Sequence, residues 1–433
     1  MRTHESGPTS RPAQENAQEN AQENAEESAE RPGTGLGRPF RHLWAASGLS
    51  NLADGVLLVG VPLLAISLTR SPVLVSLVSA ATTLPWLLLA LHAGAIADRH
   101  DRRRIMILAG WSRVAVLAAT AAAAWYGVLT LPVLVAAVLL AGAAEVFADT
   151  SAQSALPMAV PGDRLEAANG RLVATQTLGN HFLGAPLAGL LVGLAGIAST
   201  AVFGTAALLY VGAVLLLVGM RGRFRPETAP AQALRADIAD GMRYLWGHRA
   251  LRGLAAYSGV LNLAYGAYFA VFVLWVVGGG SRVGLTPGQY GFLAATLAAG
   301  AVAGSVLAGR LTRLAGENGA LVGVTLLNGL LLLVPLLVPS PLAVFPAAAG
   351  IGAANAVTNI VSVSLRQRLI PDGLLGRVNA TCRLIGMGAM PLGAAAGGLV
   401  AALAGLPAVF WSACALSLLG AALVPRGETA SKP

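Results

Sequence analysis

The stretch GAIADRHDRRR, residues Gly94 to Arg104, is a short charged segment between two long apolar runs, residues 73–97 and 105–127. A helix crosses the hydrocarbon core of a bilayer with about 20 consecutive apolar residues. Each flanking run is long enough for one crossing. The stretch therefore predicts a loop that joins two membrane-spanning helices.

The rest of the chain repeats this pattern of apolar runs and short polar breaks. Of its 433 residues, 55% are hydrophobic and 11% are charged, whereas soluble domains carry about 25% charged residues. We therefore predict an all-α integral membrane protein with twelve transmembrane helices. The predicted spans are residues 44–69, 73–97, 105–127, 131–159, 167–195, 199–219, 250–278, 287–309, 318–338, 342–365, 376–403 and 407–425.

The arginines of the loops predict the orientation of these spans, because cytoplasmic loops carry an excess of basic residues. One set of loops is arginine-rich, whereas the opposite set carries only Arg70 and Arg282. We expect the rich set and both termini to be cytoplasmic in a multi-pass plasma-membrane protein. The net charge of +9 belongs to these loops, so a nucleic-acid partner is not expected. The arginines of the rich set are Arg99, Arg102, Arg103, Arg104, Arg164, Arg171, Arg221, Arg223, Arg225, Arg235, Arg243, Arg249, Arg252, Arg310, Arg313, Arg366, Arg368 and Arg377.

Five segments follow from this pattern. We predict a disordered cytoplasmic tail (residues 1–40, with AQENAQENAQEN and no cleavable signal), a six-helix bundle (41–220), a cytoplasmic linker (221–249), a second six-helix bundle (250–425) and a short cytoplasmic tail (426–433). A polar, low-complexity tail cannot bury enough apolar surface to fold. Cys382 and Cys414 are expected near opposite membrane faces, so a disulfide is not predicted.

The two bundles repeat each other at an offset of 210 or 211 residues. NLADG (51–55) matches NLAYG (262–266), and IADRHDR (96–102) matches LAGRLTR (307–313). GAAEVFAD (142–149) matches GAANAVTN (352–359), and Pro161 and Asn169 match Pro371 and Asn379. Four polar landmarks in one order indicate a duplicated six-helix unit. Such folds hold substrate near the midplane, between the halves.

The opening stretch also resembles a known signature. It is similar to the pattern G-x-x-x-D-R-x-G-R-R between the second and third spans of the major facilitator superfamily, with Asp101 in place of the last glycine. That departure and QSALPMAVPGDRLEAAN (153–169) resemble the branch that exports enterobactin and macrolides. The resemblance covers about residues 45–425. It implies a major facilitator fold and, in this branch, drug:proton antiport. The matching residues are Gly94, Asp98, Arg99, Arg102 and Arg103.

Asp54 is the leading candidate for proton coupling. It lies about ten residues inside the first predicted span. An ionised side chain at such depth costs about 3 kcal/mol or more, so ionisable residues there are functional by default. A carboxylate that only bonds a neighbouring helix is the alternative. The second half offers neutral groups at the positions that match the acids of the first half: Tyr265 for Asp54, Gly309 for Asp98, Asn355 for Glu145 and Asn359 for Asp149.

Glu145 and Asp149 lie four residues apart, on one face of the fourth span. Glu145 is the second candidate for protonation, and an internal pair with Arg113 is the alternative. His181, in the fifth span, either relays protons, since histidine titrates near pH 6.5, or is simply hydrogen-bonded. The scattered histidines show no metal-ligand spacing, so neither a metal nor another cofactor is expected.

The family resemblance implies a conformational latch in the opening stretch. In such proteins the arginine that matches Arg102 pairs with an acid of the fourth span, which is Asp149 here. Asp98 is implied to cap the eleventh span in the outward-facing state, because a carboxylate satisfies free amides at a helix N-terminus. Charges that only fix the topology are the alternative.

Aromatic side chains mark one face of the seventh span. Tyr265, Tyr268, Phe269 and Phe272 follow the spacing i, i+3, i+4, i+7, and such faces bind flat or cationic apolar molecules. Packing or lipid contact is the alternative. Asn355 and Asn359, one turn apart on the tenth span, bond either substrate or a neighbouring helix.

Together these features favour a secondary transporter that exports amphipathic small molecules, such as drugs, antibiotics or a siderophore, in exchange for protons. We expect it to function as a monomer in the lipid bilayer. Efflux rests on the family resemblance, because a span count does not set direction. The alternatives are a nutrient importer of the same fold and a membrane sensor or assembly protein that no longer transports. No P-loop or nucleophile motif indicates an enzyme.

Overall fold

A computed structural model describes residues 36–194, 198–222, 224–225, 234–278, 280–371 and 374–424. Within these ranges the chain is almost entirely helical, and ten helices are long and apolar enough to cross a membrane. The predicted tail at residues 1–40 lies outside the described residues apart from 36–40, and the tail at 426–433 lies wholly outside them.

The helices account for all twelve predicted spans. One long helix, Pro287–Leu337, contains two spans, because Gly316 adopts a left-handed, non-helical conformation with φ of 68°. The fifth span consists of three consecutive segments, Leu165–Thr177, the π-helical Leu178–Gly184 and Ala185–Val192. The other spans are Gly37–Leu68, Pro72–Ala97, Arg102–Trp125, Leu131–Ala159, Ala198–Gly219, Arg249–Val276, Pro341–Leu369, Leu375–Ala404 and Leu406–Leu423.

The segment between the halves contains a helix that the sequence reading treated as loop. Leu234–Gly247 is a 14-residue helix, too short and too charged to cross a bilayer. Its last turn is anchored by Leu245, which is fully buried in a cluster with Leu251, Ile370 and Val378. The hydroxyl of Tyr244 adds a long hydrogen bond of 3.4 Å to the carbonyl of Leu369. The last turn of this helix is thus packed against the second half.

The duplicated unit is visible in matching helix contacts. Gly55 of span 1 lies against the backbone of Asn180 in span 5, so closely that a Cβ would clash with the Asn180 carbonyl. Gly266 of span 7 lies in the same way against the carbonyl of Met390 in span 11. These pairs are related by the offsets of the sequence repeat. Small residues at both crossings let the backbones touch.

The two halves pack against each other towards one end of the bundle. We call the end where the described chain starts and finishes the terminal face, and the opposite end the distal face. Near the distal face, Gly398 of span 11 contacts Ser76 of span 2, and Gly189 of span 5 contacts Pro287 of span 8. These contacts close the distal end over a cavity between the halves.

Candidate functional site

The cavity has a volume of about 570 Å³ and is lined by both halves. That size is typical of pockets for small organic molecules, roughly 300–1,000 Å³. Its wall in the first half is mixed, and its wall in the second half is aromatic and sulfur-containing. The lining residues with polar or aromatic groups are Asp54, Ser79, Thr82, Thr83, Trp86, Arg113, Glu145, Asn180, His181, Phe203, Tyr265, Tyr268, Phe269, Phe272, Tyr290, Met387 and Met390.

The first-half wall carries three charged residues, Asp54, Arg113 and Glu145, which we call, together with Tyr210, the acidic cluster. The guanidinium of Arg113, only 3% exposed, lies 2.6 Å from Asp54 Oδ1 and 3.1 Å from Glu145 Oε2. These residues come from spans 1, 3 and 4 and are far apart in the sequence. The pairing of Glu145 with Arg113 was one of the two alternatives at the sequence level, and here the same arginine also binds Asp54.

Tyr210 of span 6 completes the acidic cluster. Its hydroxyl donates a hydrogen bond of 2.5 Å to Asp54 Oδ1, and its ring centroid lies 4.2 Å from the Arg113 guanidinium carbon. The ring thus contacts the cation while the hydroxyl contacts the anion. The sequence reading missed Tyr210. Its isolated hydroxyl near the middle of an apolar span was the available signal.

The acidic cluster contains more carboxylates than cations. Arg113 can neutralise one of its two carboxylates, and Asp149 lies close enough to Asp54 and Arg113 to interact with them electrostatically. An uncompensated charge inside a membrane protein is costly, about 3 kcal/mol or more. A proton or a cationic ligand in the cavity would balance the excess. The arrangement can therefore bind either one.

Arg102 and Asp149 do not pair in this conformation, and the implied latch between them stays a prediction. Arg102 does reach span 4, but its guanidinium donates to the carbonyl of Ser154 and to Met158 Sδ. Asp149 lies five residues deeper along that helix than Ser154. Its electrostatic partners in the structure are the acidic cluster and Arg383 of span 11.

The remaining residues of the opening stretch hold the first half together. Asp98, half exposed, pairs with Arg102 at 3.7 Å, and its implied capping of span 11 stays a prediction. Arg103 donates to the carbonyls of Leu217 and Val218 at the end of span 6. Arg99 is exposed, and a Cβ on Gly94 would meet no atom within 4 Å. In this conformation the contacts of the stretch described above are all with residues of the first half, and its role as a latch stays a prediction.

His181 and Asn180 reach the cavity from the π-helical segment of span 5. One extra residue per turn in such a segment changes the direction of the side chains, and π segments are frequent at functional sites. The extra-wide turn is locked against span 1, where Gly179 contacts Asn51 and Gly184 contacts Gly55. The relay role of His181 stays a prediction, and Asn180 was missed.

The predicted aromatic residues form the second-half wall, which we call the aromatic wall: Tyr265, Tyr268, Phe269 and Phe272. All four line the cavity. Tyr268 stacks on Phe272 with centroids 5.0 Å apart and meets Phe269 edge-on at 5.2 Å. Contact of this wall with a substrate remains a prediction.

Asn355 and Asn359 are not among the residues that line the cavity, and their contact with a substrate or a neighbouring helix stays a prediction. Span 10 contributes the stripe Val344, Ala347, Ala348 and Ile351. The asparagines continue that stripe one and two turns further towards the terminal face, and both are exposed.

Arg383 of span 11 is a further residue that the sequence reading overlooked. Its guanidinium carbon lies 5.6 Å from the ring centroid of Trp86 in span 2, so it reaches across from one half to the other. An arginine inside an apolar run was the available signal. Among the described residues, no group of three or more histidine, cysteine or acidic side chains could hold a metal ion.

Comparison with known proteins assigns the family. A family model described as "Transmembrane secretion effector" matches residues 37–430. The chain belongs to this family of the major facilitator superfamily. The relatives described next are named as membrane transporters.

Two relatives show the range of similarity. The multidrug efflux pump Tap of Mycobacterium tuberculosis (strain H37Rv) is 34% identical over 237 residues. That match spans only about half of each protein, 53% of this chain and 54% of the relative. The enterobactin exporter EntS of Shigella boydii is 27% identical over 397 residues, which is 89% of this chain and 91% of the relative.

Among solved structures, a bacterial homologue of the iron transporter ferroportin in an inward-facing state superposes with a TM-score of 0.73. The match covers 90% of this chain and 98% of the other, at 15% identity. At this identity the similarity shows the fold alone. It confirms the predicted major facilitator fold with twelve spans.

Proposed function

We propose that this transporter exports amphipathic organic cations in exchange for protons. The observation that carries the proposal is the excess of carboxylate over guanidinium in the acidic cluster, on the wall of a cavity that faces aromatic rings. Aromatic rings attract both organic cations and the apolar parts of a ligand. The cavity thus offers carboxylates for the positive charge of such a molecule and aromatic rings for its apolar part.

Competition between a proton and the cation supplies the coupling. Asp54 and Glu145 share the guanidinium of Arg113, so these three residues together carry one net negative charge when both carboxylates are ionised. Binding of a cation favours the ionised form, and protonation favours release of the cation. Because the acidic cluster binds either the proton or the cation but not both at once, each crossing of the membrane carries one of them. The proton and the cation are therefore transported in opposite directions.

The direction of export follows from orientation and from the relatives. The arginine-rich loops at the terminal face are expected to be cytoplasmic, and the packing of the halves near the distal face supports an inward-open conformation. Two relatives, named as a multidrug efflux pump and an enterobactin exporter, support efflux. Alternation would expose the cavity to each side in turn.

The experiment uses the purified protein in liposomes with an acidic interior. Valinomycin and equal potassium on both sides clamp the membrane potential, because a lipophilic cation also responds to potential. We expect labelled tetraphenylphosphonium to accumulate inside, driven by outward proton flow, and to leave when ammonium chloride collapses the gradient. Equal final levels with and without the gradient would rule out proton exchange for this cation. Protein-free liposomes and liposomes prepared without a gradient are the controls.

A further inference from the structure

Besides Nε of Arg113 in the acidic cluster, two buried side-chain atoms of cavity-lining residues have no hydrogen-bond partner among the described residues. They are the hydroxyl of Tyr268 and Oδ1 of Asn180. Tyr268 is only 1% exposed, and both residues line the cavity. Buried polar groups are nearly always hydrogen-bonded, and an unpartnered one calls for an explanation.

The neighbouring tyrosines of span 7 behave differently. The hydroxyl of Tyr265 donates a 2.8 Å bond to Asn328 Oδ1, and that of Tyr257 shares a 2.7 Å bond with Thr325. Tyr265 lines the same cavity one turn away from Tyr268. The packing of this helix therefore provides protein partners for the hydroxyls of Tyr257 and Tyr265, and it leaves the hydroxyl of Tyr268 without one.

Both unpartnered residues are held in position by their surroundings. The Tyr268 ring stacks on Phe272 and meets Phe410 edge-on at 5.2 Å, so the hydroxyl cannot easily turn to a different partner. Asn180 lies in the π-helical turn, whose backbone contacts Gly55. Groups that are fixed before binding lose little entropy when a ligand bonds them.

We propose that Tyr268 and Asn180 form a neutral polar subsite for the substrate, in addition to the acidic cluster. The phenol donates to a carbonyl, ether or hydroxyl oxygen of the ligand, and Asn180 Oδ1 accepts from its N–H or O–H. The inference rests on the proposed function, because it assigns a second recognition element to the same cavity. It predicts that cations with neutral hydrogen-bonding groups gain binding energy in this cavity that cations without such groups lack.

The test compares two cations by equilibrium binding to the purified protein in detergent. Tetraphenylphosphonium has no hydrogen-bonding group, whereas rhodamine 6G carries an ester and two N–H groups. We expect Tyr268→Phe to weaken rhodamine 6G binding roughly tenfold, the value of one or two hydrogen bonds, with tetraphenylphosphonium binding unchanged. Asn180→Leu, at the other half of the subsite, should shift the same ratio in the same direction.

Tyr257→Phe is the matched control, because it removes a hydroxyl of the same helix that already has a protein partner and belongs to a residue outside the cavity lining. It should leave the ratio of the two affinities unchanged. Equal losses for both ligands in the two variants, no loss in either, or no binding of rhodamine 6G by the wild type would overturn the subsite. Binding needs no proton gradient, so a failure of the proposed exchange would appear separately, as tetraphenylphosphonium that binds but does not accumulate.

Discussion

Replacing Asp54 by asparagine is expected to abolish proton-driven accumulation while the protein still folds. Asparagine has the shape of aspartate and can still accept hydrogen bonds from Tyr210 and Arg113, which now lie 2.5 and 2.6 Å from Asp54 Oδ1. It cannot exchange a proton. We expect the initial rate of gradient-driven tetraphenylphosphonium uptake to fall at least about 100-fold, the lower range for loss of a positioned proton carrier.

Asp163→Asn is the matched control for this prediction. Its carboxylate is 74% exposed in the connection before span 5 and lies 3.7 Å from Arg164. The control should transport like the wild type. Wild-type accumulation by Asp54→Asn would make Asp54 a structural residue and transfer the proposed role to Glu145. Both variants should elute as single symmetric peaks in size-exclusion chromatography.

Replacing Arg113 by methionine is expected to destabilise the protein strongly. Arg113 is buried and is the shared partner of Asp54 and Glu145, so its removal leaves two carboxylates close together without a cation. Breaking a buried ion pair from one side costs about 3–5 kcal/mol. We expect the apparent melting temperature in detergent to fall by roughly 10 °C, measured by tryptophan fluorescence.

Removing the two carboxylates should restore much of that loss. The triple variant Arg113→Met, Asp54→Asn, Glu145→Gln has no buried charge in the acidic cluster, and neutral replacement of buried ion networks is often tolerated. We expect it to melt close to the wild type and to lack gradient-driven uptake. A triple variant as unstable as Arg113→Met alone would show that Arg113 stabilises through packing, for example against the ring of Tyr210, rather than through charge.

The sequence predicts the architecture well, because the membrane imposes simple rules. Long apolar runs must form helices, since helices satisfy their own backbone groups in lipid. The offset of 210 to 211 residues also identifies contacts that the structure contains, such as Gly55 on Asn180 and Gly266 on Met390. The depth of Asp54 and the face of the aromatic residues were likewise readable from spacing alone.

Interactions between distant helices are less predictable. Arg113 joins Asp54 with Glu145 because spans 1, 3 and 4 meet at one depth, and no local pattern fixes that depth. The π-helical turn that directs Asn180 into the cavity depends on packing against span 1. The partner of Arg102 was inferred from resemblance, and in this conformation the carbonyl of Ser154 takes the place of Asp149.

The central claim is that a proton and a cation compete for the acidic cluster. The most direct measurement adds tetraphenylphosphonium to the purified protein in lightly buffered detergent solution, at several starting pH values near neutrality, with a pH indicator present. We predict proton release on binding by the wild type, and binding without release by Asp54→Asn. Binding by the wild type without proton release at any of these pH values would contradict the account.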